Sequence, residues 1–123
     1  MADGTGLVDA AGIAGRLAAV ALAMSGLDVT LATSDEETVA FDRLRELNVE
    51  VRRGIRVVGS VPVDQHVEVE LSDGRVENYD VVVVAHPEHA ATPWEVLASD
   101  AVRRRRTVPD DVLRMLGALR APS

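Results

Sequence analysis

The sequence predicts an α/β fold in three layers, with a central parallel sheet and an inserted three-stranded antiparallel meander. Three observations carry this. Val8 to Ala19 reads as a strand, a small-residue turn and an Ala-rich helix. From there to Val51, β-branched runs alternate with helix-patterned ones, the order of strands and helices that builds a parallel sheet. Finally, Asp80-Val81-Val82-Val83-Val84-Ala85 is apolar without alternation, as befits a strand covered on both faces.

Composition sets the bounds. The 123 residues suffice for one domain with a sizeable core but are few for a complete oxidoreductase. Hydrophobic content is 47% while aromatics are 2%, so the core must be aliphatic, with Phe41, Tyr79 and Trp94 as its only rings. There is no cysteine, which excludes disulfides, thiolate metal sites, Fe–S ligation and thiol nucleophiles in this chain. A net charge of -7 argues against general affinity for nucleic acid. Met-Ala-Asp-Gly-Thr lacks a basic leader and no apolar run is long enough to span a bilayer, so the expected location is cytoplasmic.

In chain order, a short strand at Gly6-Leu7-Val8 precedes a helix that ends at Ser25-Gly26. Leu17, Val20, Ala21 and Met24 share one face of that helix and are expected to pack on the sheet. Asp28 to Thr33 reads as a second buried strand. Ser34-Asp35-Glu36-Glu37 supplies a capping box for a second helix carrying Ala40, Leu44 and Leu47. Asn48 ends it, and Val49-Glu50-Val51 is a third strand. Residues 1–53 thus form a strand–helix–strand–helix–strand unit. Residues 54–79 are the meander: Ile55 to Val58, the alternating His66 to Leu71, a turn at Ser72-Asp73-Gly74-Arg75, and Val76 to Tyr79. The central strand follows at 80–85. Residues 86–123 are read as a loop, one helical turn at Trp94–Leu97, the basic run Arg103–Arg106, and a final helix from Pro109 with Val112, Leu113, Leu116 and Leu119 as its stripe.

The first turn is the strongest functional motif. A dinucleotide fingerprint, G-x-G-x-x-G between strand and helix, maps onto Ala10, Gly12 and Gly15, and marks the fold as Rossmann-like. Gly12 would let a pyrophosphate near the backbone, and Gly15 would let the helix sit close on the strand. Ala10 puts a Cβ where the turn prefers none, and Asp9 puts a negative charge beside the phosphate position. The acid that grips a ribose ordinarily ends the second strand; here that position is Thr33, with no Arg to favour a 2′-phosphate. The motif supports the fold more than a ligand, and any ADP or NAD(P) bound should be held weakly.

Val29-Thr30-Leu31, Leu47-Asn48-Val49-Glu50-Val51 and the stretch from Leu71-Ser72-Asp73-Gly74 to Asp80-Val81-Val82-Val83-Val84-Ala85 resemble the pyridine-nucleotide domain of flavin disulfide-reductase-type enzymes. With Val8-Asp9-Ala10-Ala11-Gly12, the chain looks most like the carboxy-terminal region of the trimethylamine dehydrogenase and 2,4-dienoyl-CoA reductase (old yellow enzyme-like) group. In the tail, Ser99-Asp100-Ala101 is similar to that group's Gly-Asp-Ala segment, which implies a cofactor contact at Asp100. The resemblance implies a flavin-bearing barrel with an Fe–S cluster elsewhere, because neither is contained in this sequence. The expected role is therefore an accessory small subunit of a flavin-dependent (FMN or FAD, Fe–S) oxidoreductase, structural or supporting electron transfer. Its partner would be a larger flavin-containing chain in a hetero-oligomer.

Other candidates have plainer readings beside their functional ones. His86, Glu88 and His89 lie after a central strand, yet H-P-E-H lacks the helical spacing of a zinc motif. Trp94 is a residue type enriched at interface cores, and Arg103, Arg104, Arg105 and Arg106 suit carboxylates on a partner; a filled gap and a solvated turn are the alternatives. Glu68 and Glu70 are the wet face of a strand, and Asp35 to Glu37 are explained by capping. No catalytic constellation stands out. Two other functions stay open: a stand-alone NAD(P)- or ADP-binding oxidoreductase domain or sensor, and a scaffold without ligand.

Overall fold

Four successive valines occupy the middle of the molecule because nothing in them can face water. A computed structural model of the chain describes residues 4–10, 12–33, 42–63, 65–84, 95–105 and 108–118. Its elements are β1 (Thr5–Asp9), α1 (Gly12–Met24), β2 (Asp28–Thr33), α2 (Asp42–Glu46), β3 (Glu50–Arg53), β4 (Val57–Pro62), β5 (Val67–Leu71), β6 (Val76–Tyr79), β7 (Val81–Val84), β8 (Glu95–Ala98), α3 (Asp100–Arg105) and α4 (Asp110–Ala118). Strand β7 pairs parallel with β1, placing Leu7 beside Val82 and Asp9 beside Val84. The larger sheet has the order β3-β2-β1-β7-β8, and β4-β5-β6 form a second, three-stranded sheet.

This corrects the expected architecture. The larger sheet is mixed: β8 runs antiparallel to β7, pairing Val81 with Ala98 and Val84 with Glu95. The segment expected to make a helical turn from Trp94 to Leu97 is therefore a strand from Glu95 onward. Connection length gives the reason. A parallel crossover takes about a dozen residues or more, and residues 85–94 fall short of that, so the chain returns antiparallel. Among the described residues, no helix covers the second face of the large sheet. Leu7, Ala32, Val82 and Val84 meet Val67, Val69, Leu71 and Tyr79 of the small sheet in one apolar cluster. The observed molecule is helices on a mixed sheet on a small antiparallel sheet, in place of the predicted Rossmann-like parallel three-layer domain.

The opposite face holds the other cluster, where Val8, Val29, Leu31, Val81 and Val83 meet Ala18, Ala19 and Leu22 of α1, Leu44 of α2 and Leu113 and Leu116 of α4. Here too an expectation changes. Leu17 and Met24 of α1, predicted to pack on the sheet, are 58% and 67% exposed, and the buried face is Gly15, Ala18, Ala19 and Leu22. Both stripes recur every three to four residues, so periodicity does not choose between them in a helix that is apolar all round. Contact with β1 chooses. A Cβ on Gly15 would lie 2.8 Å from the Ala10 carbonyl oxygen and 3.0 Å from its Cβ, so only glycine permits so close an approach.

Local signals set the remaining boundaries. Asn48 takes a positive φ of 60° after α2, and Val49 N–H donates to the Leu44 carbonyl at 2.9 Å. The β5–β6 hairpin turns on Gly74 at φ 90°, with the Asp73 carboxylate accepting from Arg75 N–H at 3.0 Å. Pro109 precedes α4, and its carbonyl accepts from Leu113 N–H at 3.1 Å. The capping box at 34–37 and Ala40 lie outside the described residues, as does Leu119.

Candidate functional site

The carboxyl ends of β1 and β2 bring together most of the residues named from the fingerprint. Ala10 follows β1, is 5% exposed, and donates its N–H to the Ala32 carbonyl at 3.2 Å. Gly12 opens α1, and Gly15 rests against Ala10 as described. Thr33 ends β2 one strand away; it is 2% exposed, and its carbonyl accepts from Gly54 N–H at 3.0 Å. A strand-to-helix turn with a glycine at the close-approach position is thus present.

Asp9 behaves differently from the charge anticipated beside a phosphate. It is 5% exposed, and its Oδ2 accepts from the backbone N–H of Val57 at 2.9 Å. The carboxylate thereby ties the end of β1 to the first residue of β4, anchoring the small sheet beneath the large one. Losing this bond would leave a strand N–H without its partner. Position 9 matters as a structural tie between sheets, a role that sequence spacing could not show because β4 is remote in the chain.

Asp100 falls elsewhere. Because β8 is antiparallel, its end lies beside the start of β7, so Ser99 and Asp100 sit at the amino ends of β1 and β7. Ser99 N–H donates to the Asp80 carbonyl at 2.8 Å, and its Oγ accepts from Val102 N–H at 3.2 Å, capping α3. Gly12, Gly15 and Thr33 occupy the opposite end of the strands. The structure therefore groups Ala10, Gly12, Gly15 and Thr33 and separates Asp100 from them. Arg103 and Arg104 are exposed on α3, with the Arg104 Nε donating to the Asp100 carbonyl at 3.4 Å. Arg105 ends that helix, while the Arg105 side chain, Arg106, Trp94, His86, Glu88 and His89 lie outside what is described.

A polar cluster unseen in the sequence joins the two sheets at another point. Arg52 on β3 bonds Glu77 on β6 at 2.8 Å and Glu50 at 3.2 Å, and the Tyr79 hydroxyl donates to the same Glu77 oxygen at 2.5 Å. Burial and the bond to the Glu77 carboxylate push the Tyr79 phenol up to about 12. The hydrogen bond from Tyr79, reinforced by Arg52, holds Glu77 below the usual carboxylate range despite partial burial. The only hint in the sequence was a Glu-x-Arg and a Glu-x-Tyr on separate strands; their meeting depends on how the sheets stack.

As a nucleotide site, the residues fit in part. The turn and Gly15 suit a backbone approached closely by a ligand. Thr33 offers no carboxylate to a ribose, and the Asp9 carboxylate is committed to Val57. Among the described residues no group of His, Cys, Asp or Glu is placed to hold a metal ion. No helix among them is long and apolar enough to cross a membrane.

No protein-family model matches the sequence, and no curated protein matches it. Solved structures do match in fold. FqzB aligns with a TM-score of 0.60 at 14% identity, over 69% of this chain and 36% of its own. The halogenase PltM aligns with a TM-score of 0.56 at 14% identity, over 68% of this chain and 35% of its own. The tetracycline destructase Tet(55) aligns with a TM-score of 0.55 at 19% identity, over 72% of this chain and 39% of its own. The chain spans between a third and two-fifths of the length of these structures. At such identities the likeness is one of fold. It corrects the resemblance to the trimethylamine dehydrogenase and dienoyl-CoA reductase group, since the structures matched are of other proteins, a Diels-Alderase, PyrE3, among them. Short β-strand signatures around buried valines do not discriminate between groups that share such a sheet.

Proposed function

We propose that this chain is a non-catalytic subunit of an oxidoreductase assembly, carrying a nucleotide-binding type of turn while the flavin and the chemistry reside on a larger partner chain. The carrying observation is the close seat of Gly15 on Ala10 combined with an Asp9 carboxylate turned to the β4 backbone. The turn carries a glycine where the helix comes closest to the strand, and the Asp9 carboxyl is put to structural use. The matched structures include a halogenase and tetracycline destructases, each matched over 35–39% of its own length. With no cysteine in the sequence, this chain brings no thiol or thiolate cluster to redox chemistry.

On this reading ADP, NADH, NADPH or FAD bind the isolated chain weakly, near the millimolar range. Each missing contact costs about 1–3 kcal/mol, which moves a micromolar site that far. Calorimetry with the four ligands tests it, and a sub-micromolar constant for any would establish a stand-alone nucleotide-binding protein instead. Co-expression with neighbouring genes tests the assembly. The expected product is a yellow complex of this chain and a larger one, weakened by charge reversal at Arg103–Arg106 or by Trp94→Ala and unaffected by Glu68→Ala. A colourless species alone, beside a neighbouring flavoenzyme fully active without it, would overturn the subunit reading.

A further inference from the structure

We draw no further inference here: the strongest candidate, the β4 edge of the small sheet with exposed Val58 and Val61, carries none, because nothing in the structure shows what covers it.

Discussion

The two faces of the large sheet are both buried, but they are held by different physics. Against α1, α2 and α4 the contact is aliphatic, and its tightest point is the Gly15 seat on Ala10. Against the small sheet an aliphatic cluster is supplemented by polar ties: Asp9 to the Val57 N–H, and Arg52 with Glu77 and Tyr79. A helix satisfies its own backbone, so it can rest on a sheet through side-chain shape alone. A small sheet laid face to face on another benefits from polar bonds that fix where it sits. The helix side should therefore respond to side-chain volume, and the sheet side to polar deletions and to pH.

Breaking the comparison at its centre has the largest expected effect. Val83→Asp puts an unpaired carboxylate into the helix-side cluster, where Val83 is fully buried, and should cost about 3–5 kcal/mol. Soluble expression should be lost; a folded variant with an unchanged melting temperature would show that β7 is not central. Next come two changes of similar size and opposite character. Gly15→Ala forces a Cβ to within 2.8 Å of a backbone oxygen and should cost about 1–3 kcal/mol at every pH, measured by urea titration. Asp9→Ala should also cost about 1–3 kcal/mol by leaving Val57 N–H unpaired, and it should raise amide exchange in β4 ahead of that in α1. Equal loosening of both faces would erase the distinction drawn between them.

The smallest effect separates the faces by pH. Tyr79→Phe should cost about 0.5–1.5 kcal/mol near neutrality. The Tyr79 phenol is raised from 10.0 to about 12 in the folded chain. Its contribution is therefore full below pH 10.0 and lost as pH climbs toward about 12. Glu77 is shifted the other way, so its contribution is present above the ordinary carboxylate range and lost as pH falls through its lowered value. Melting curves of parent and Tyr79→Phe should converge at the alkaline end. A gap that persists there would exclude the proton linkage.

Much of the local structure was legible in the chain. The run Val81–Val84 lacks alternation, and its exposure of 0%, 0%, 0% and 8% is that of a strand with no wet face. The alternation of Val67 to Leu71 marks one wet and one dry face, and Ser72-Asp73-Gly74 marks the turn after it. In the site, Ala10, Gly12, Gly15 and Thr33 were placed near one another by the strand–turn–helix pattern, while Asp100 came from a motif likeness and lies at the far end of the sheet.

What the sequence by itself determined is therefore the kind of element at each of these places, because backbone preference and hydrophobic period act over a few residues. Tertiary structure alone decided three things that period cannot encode. It chose which of two equally apolar stripes of α1 faces the sheet, through the close contact of Gly15 with Ala10. It turned β8 antiparallel, through a connection too short for a crossover. It paired Asp9 with Val57 and Arg52 with Glu77, which are far apart in the chain and meet only because one sheet lies on the other.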